Sequence, residues 1–262
     1  MEFVIIAVAA LVVSALTMFS GFGLGTLLMP VFAIFFPIEA AIAATAVVHG
    51  ANGVLKAALL GREADRSVVL RFGIPALLSA FAGAAVLGAV STLDPLFTYT
   101  LAGRDATVTP IKLVMGILMT GFALFELLPR FANLEFDRRW LPLGGVLSGF
   151  FGGLSGHQGA LRSAFLVKSG LSPKAFVGSN AVIGLMVDVA RLSVYGAVFL
   201  GQTTGTLFQG RTGGMILAGV MAAFTGVVVG KRILPKVTMA SIQVITGVML
   251  LVIALALGMG VI

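Results

Sequence analysis

The feature that most constrains this chain is a succession of long apolar runs separated by short polar junctions. They cover Phe3–Phe36, Glu39–Leu60, Val68–Val90, Ile111–Leu128, Leu141–Val167, Ala175–Leu200, Gly213–Leu234 and Ile242–Ile262. A spanning helix needs ~20 apolar residues, and several of these runs come near or exceed that length. In hydrocarbon, backbone N–H and C=O groups must be satisfied inside a helix or around a closed barrel. Barrel strands alternate apolar and polar residues in short segments, which these runs do not do, so helices are expected. Composition agrees: 59% of the 262 residues are hydrophobic and 10% charged, with mean hydropathy +1.11. A water-soluble fold of this length needs more polar surface. The expected fold class is an all-α polytopic membrane protein.

Several function classes fall away at once. The absence of cysteine excludes disulfides and thiolate metal sites, and two histidines are too few for a His-rich metal cluster. No cofactor is expected. The net charge of +7 and pI of 10.4 fit basic cytoplasmic loops better than a nucleic-acid partner. The N-terminus has no basic region before its apolar stretch, so no cleavable signal peptide is expected.

Charge also orients the runs. Lys56, Arg62, Arg66 and Arg71 flank one junction, Arg130, Arg138 and Arg139 a second, and Lys231, Arg232 and Lys236 a third. The intervening connections carry only Arg104 and Arg211. By the positive-inside rule the basic junctions face the cytoplasm and the others face out. The stretch Leu141–Val167 then enters from the cytoplasm and returns to it, since Lys168 and Lys174 follow it. It is expected to be a helical hairpin bent near Gly152–Gly159, in a cytoplasmic (inner) membrane protein with both termini outside.

One offset pairs Ser20-Gly21 with Ser155-Gly156, Ala40 with Ala175, Val54 with Val189, Lys56 with Arg191 and Gly61 with Gly196; with small gaps, Ala80–Gly83 matches Ala223–Gly226. The preserved order suggests a duplication. Residues 1–128 are expected to form a first transmembrane repeat, 129–138 a cytoplasmic linker and 139–262 a second repeat within one membrane domain. Each repeat is a re-entrant or broken hairpin plus three spanning helices, an odd number of crossings that inverts the second. Paired broken segments in inverted halves point to the substrate site of a secondary transporter.

Polar residues gather on this frame. Thr45, His49, Asn52 and Lys56 fall at i, i+4, i+7 and i+11, one helical face. Their counterparts are Asn180, Gly184, Val187 and Arg191, with Asp188 and Tyr195 close by. Lys56 and Arg191 lie nearer helix ends, where snorkelling to the headgroups is an alternative. Asp188 and Arg191, at i and i+3, also have the spacing of a self-neutralising pair. At the second bend, Ser155, Gly156, His157 and Gln158 precede a half-helix whose N–H groups favour an anion. Arg162, about one turn on, suits a bidentate oxyanion. The expected substrate-binding set is Ser20, Gly21, Gly23, Thr45, His49, Asn52, Ser155, Gly156, His157, Gln158, Arg162, Asn180 and Arg191, holding a small anion at the midplane between two glycine-rich tips. Asp188 is the candidate for proton coupling.

The segments SGFGLGTLLMP (Ser20–Pro30), ATAVVHGANG with Lys56, SGFFGGLSGHQGALR (Ser148–Arg162) and FVGSNAVIGLMVDVARLSVYG (Phe176–Gly196) resemble the TauE/SafE family of sulfite exporters and sulfonate permease-like membrane proteins. The resemblance covers nearly the whole chain. It implies transport of sulfur-containing anions such as sulfite or a sulfonate like sulfoacetate, often outward, and no enzyme activity. The two glycine tips, Asn180 and Arg191 match the family's character, and His157-Gln158 fits its second tip. Residues 98–110 read as a polar insertion outside any family motif. A passive anion channel is the nearer alternative. A rhomboid-like protease, with Ser155 as nucleophile and His49 as base, is the farther one. Partners beyond the anion and the bilayer are protons and a second copy of the chain, both left open by the sequence.

Overall fold

The computed structural model describes residues 1–20, 23–101, 103–128, 135–199, 210–233 and 239–262. The expected all-α membrane architecture is present. The first apolar run is broken into α1 (Glu2–Ser20) and α2 (Leu24–Ala33), followed by α3 (Ile38–Leu60). Next come α4 (Arg66–Val68), a π-helical turn at Val69–Gly73 and α5 (Ile74–Ser91), which make one apolar span from Arg66 to Ser91. Asp65 opens it by accepting a bond from Val68 N at 2.9 Å, an N-cap that satisfies an otherwise orphaned donor. After α6 (Pro110–Leu127) the chain forms a second broken run, α7 (Leu141–Ser155) and α8 (Gly159–Leu166), then α9 (Pro173–Phe199), α10 (Gly210–Ile233) and α11 (Met239–Gly258). Among the described residues five helical spans are long and apolar enough to cross a membrane.

Among the described residues the strands form a small two-stranded ribbon. Residues placed in the polar insertion form β1 (Phe97–Leu101) and β2 (Arg104–Val108), antiparallel with Phe97 opposite Val108 and Leu101 opposite Arg104. Tyr99 Oη donates to Met259 O at 2.6 Å, tying the ribbon to the end of α11. At the opposite end of the bundle Asp65 lies 3.8 Å from Arg138, and its N–H donates to Ser179 Oγ at 3.0 Å.

The core is apolar, but so is much of the outside, and several polar side chains are buried. Leu78, Ile117, Leu217, Met221, Val228 and Val252 are exposed, whereas Ser14, Asn52, Ser148, Asp188 and Arg191 are buried. Exposed apolar surface on this scale matches a lipid solvent. Four pairings organise the bundle: α1 on α10, α5 on α7, α3 on α9 and α6 on α11. The α5–α7 pair is the tightest. Along α7, Gly145, Gly149 and Gly153 face the carbonyls of Phe72, Ala76 and Ala80, and a Cβ on each would clash with those oxygens. Helices without a hydrophobic driving force in lipid gain van der Waals contact by such close approach.

Candidate functional site

Two breaks aim the polar groups. Gly156 ends α7 at φ 82, and Gly23 precedes α2 at φ 106; both are left-handed conformations in which a Cβ is strained. At Gly156 a Cβ would also lie 2.6 Å from Arg191 Nη1, so the bend admits a guanidinium against the backbone. The bend falls within the expected Gly152–Gly159. The two tips touch: a Cβ on Gly25 would lie 3.2 Å from Gly156 O and 3.4 Å from His49 Cδ2. In this conformation an open cleft lies beside the tips.

The cleft lies between α3 and α9, roofed by α8. Its walls carry His49, Asn52 and Lys56 from α3, Arg162 from α8, and Asn180 and Gly184 from α9, around about 380 Å³ of space that includes its open mouth. Each polar side chain is held in place. Arg162 Nε donates to Asn180 Oδ1 at 2.7 Å and its Nη1 to Gln158 Oε1 at 2.9 Å. Asn180 Nδ2 donates in turn to Phe176 O at 3.0 Å. Ser14 Oγ lies 3.3 Å from Asn52 Oδ1 and donates to Ala223 O at 2.7 Å. Lys56 Nζ reaches Thr17 O at 3.4 Å, near the end of α1. Gly184 leaves room for Arg162, whose Nη1 would be 3.2 Å from a Cβ there. The lining residues include cations and amides and no carboxylate.

Behind the cleft lies a charged cluster across the α3–α9 contact. Asp188 Oδ2 sits 2.6 Å from His49 Nδ1, and its Oδ1 accepts from Arg191 Nε at 2.9 Å with Arg191 Nη2 at 2.7 Å. Asp188 and Arg191 are both 0% exposed. Gly50 and Gly53 on α3 provide the space: a Cβ there would lie 3.5 Å from Asp188 Cβ and 3.6 Å from its Oδ2. Tyr195 Oη donates to Gly153 O from the next turn of α9.

The structure thus sorts the sequence-based set. His49, Asn52, Arg162 and Asn180 meet in the cleft. Gln158 braces Arg162 from the tip, and Arg191 lies behind the cleft against Gly156. Ser155 and His157 are tip residues: Ser155 Oγ donates to Phe151 O and lies 3.0 Å from His157 Nδ1, and the His157 ring stacks on Phe122 with centroids 5.3 Å apart. Thr45 donates to Ala41 O at 2.7 Å, one turn back, and is outside the cleft lining. Gly23 packs against Thr17. Gly21 lies outside the described residues, as do 129–134 of the expected linker, and Ser20 is described only as the last residue of α1.

Two alternatives read from the sequence are corrected. Arg191 does not snorkel, because its guanidinium is buried and paired. Lys56 turns inward to the cleft, as its place on the His49 stripe implies. The Ser155–His49 dyad of the protease reading is not formed, since Ser155 is engaged by Phe151 and His157 while His49 is held by Asp188. A family model described as sulfite exporter TauE/SafE matches residues 6–257. No curated protein and no solved structure matches the chain.

Proposed function

The chain belongs to the sulfite exporter TauE/SafE family, and from that premise we propose that it is a secondary transporter exporting small sulfur-containing oxyanions, sulfite or sulfonates such as sulfoacetate, across the cytoplasmic membrane. The carrying observation is the α3–α9 cleft, whose lining has Lys56 and Arg162 as cations, Asn52 and Asn180 as amides, and no carboxylate. Two cations lining one low-dielectric cleft repel each other, and a bound oxyanion offsets that repulsion. Arg162 offers a planar fork suited to two oxygens, and its bonds to Gln158 and Asn180 fix its plane before the anion arrives.

The mechanism is alternating access between two inverted repeats, residues 1–128 and 139–262. Packing supports the repeat. A two-fold that exchanges the halves turns the α1–α10 contact into the α7–α5 contact and returns α3–α9 and α6–α11 to themselves. The glycines of the paired Ala-Phe-X-Gly motifs behave alike: a Cβ on Gly83 would meet Phe150 O and Leu154 N, and one on Gly226 would meet Leu11 O and Ala15 N. The close approach of Gly25 to Gly156 and His49 supports alternating access over an open pore.

A thermal-shift titration of the detergent-purified protein with sulfite, sulfate, thiosulfate, sulfoacetate, taurine and matched carboxylates tests the reading. A ligand at ~100 times its Kd stabilises the folded state by about 2.7 kcal/mol. Stabilisation by a sulfur oxyanion that is lost in Arg162→Gln, with the apo Tm retained, is expected; no shift with any sulfur oxyanion overturns the assignment.

A further inference from the structure

The anion cleft and the buried charged cluster share one residue, His49. Its ring lines the cleft, while its Nδ1 is 2.6 Å from Asp188 Oδ2. A carboxylate accepts and does not donate, so the proton in that contact belongs to Nδ1. The neutral ring therefore carries no proton on Nε2. Any second proton must go there. Asp188, by contrast, is committed on both oxygens, to His49 on one and to Arg191 on the other. It is poorly placed to be the group that gains and loses a proton.

We propose that His49 is the proton-carrying residue of the cleft, that Asp188 is its positioning residue, and that a proton is taken up on Nε2 when the oxyanion binds. This rests on the cleft reading above and moves the coupling role expected at Asp188 one residue outward. The charges around the ring give the coupling its sign. Asp188 on α9 favours the imidazolium; Arg191 on α9, Arg162 on α8 and Lys56 on α3 oppose it. Tyr195 on α9 stands behind Arg191 with its hydroxyl on the Gly153 carbonyl. The faces of α2 and α10 against this part of α3 are uncharged, at Gly25 against His49 and Gly219 against Val48. With the cleft empty, cations oppose the second proton. An oxyanion beside Arg162 and Lys56 offsets them, so anion and proton each strengthen the binding of the other, as linkage requires. Histidine is the cleft group whose ordinary ionisation range straddles neutrality. The cargo enters with its charge reduced by one, which lowers the barrier to carrying it through a low-dielectric interior.

The test uses methanesulfonate, whose charge is constant through the neutral range, so that the ligand's own titration does not enter. Calorimetric titrations of the full-length protein in buffers of different ionisation enthalpy count protons taken up per anion bound. Up to one proton per anion is expected, with affinity tightening by at most about tenfold per pH unit of acidification. His49→Gln is expected to bind with a flat pH profile and no proton uptake. Asp188→Asn is expected to move the pH profile toward acid while retaining binding, since the ring loses its orienting anion; should that variant not fold, Asp188→Glu, which keeps the charge, should keep the linkage. Wild-type binding with no proton uptake, or an unchanged linkage in His49→Gln, overturns this assignment and leaves the cleft standing. Absence of binding by methanesulfonate and by every anion of the panel above overturns both.

Discussion

At the scale of single residues, the buried charges are the most consequential choices in this chain. Arg191 and Asp188 lie fully buried with His49 on the far carboxylate oxygen. Breaking a buried pair by removing one partner leaves the other uncompensated, at about 3–5 kcal/mol. Asp188→Ala is therefore expected to lower the apo Tm more than Arg162→Gln, since Arg162 keeps company with polar neighbours at an accessible cleft and Arg191 does not. Scanning fluorimetry of the two variants in one detergent checks the order; an Asp188→Ala protein as stable as wild type would remove the structural role given to the cluster. Lys56 makes the complementary case. Its ammonium lines the cleft and lies 3.4 Å from the Thr17 carbonyl, so Lys56→Met is expected to weaken oxyanion binding roughly tenfold, the worth of one charge-assisted contact, with Tm unchanged or raised.

At the scale of elements, the backbone approach of α5 and α7 is the least forgiving contact. The side of α7 that meets α5 is glycine at Gly145, Gly149 and Gly153, spaced one turn apart so that each seats on a successive carbonyl. Gly149→Val drives a Cβ against the Ala76 carbonyl, a backbone group that cannot rotate away. It is expected to abolish a monodisperse peak in size-exclusion chromatography. Gly121→Ala is the control, because a Cβ there meets nothing within 4 Å, and helix propensity favours it by up to about 1 kcal/mol. Equal behaviour of the two variants would mean that α5 and α7 separate more easily than their packing implies. The π-turn at Val69–Gly73 lies directly under this pair, and Gly73 accommodates the Met186 thioether of α9.

At the scale of the whole molecule, the ribbon at Phe97–Val108 and the C-terminal end of α11 share one end of the bundle, while Glu63, Asp65 and Arg138 share the other. We propose from the charge distribution that the second end faces the cytoplasm. Because the chain has no cysteine, single replacements report sidedness directly: Thr100→Cys is expected to react with an impermeant maleimide in intact cells, and Glu63→Cys only after permeabilisation. The reverse pattern would invert the orientation and with it the direction in which the cleft opens. Much of this was legible beforehand. Apolar run length determined the membrane helices, since hydrocarbon leaves a backbone no other partner, and the glycines with Ser155-Gly156 marked where the second hairpin bends, since few residues other than glycine turn left-handed at low cost. The stripe from His49 to Lys56 was readable from helical periodicity alone. Sequence periodicity says which residues share a face but not which faces meet. Only the tertiary structure decided that α3 turns its stripe to α9, that Gly50 and Gly53 make room for Asp188 to reach His49, that Thr45 is left outside, and that Arg191 goes inward to Gly156 instead of out to the headgroups. Those outcomes depend on contacts between residues far apart in the chain, and a local pattern carries no information about the partner's shape.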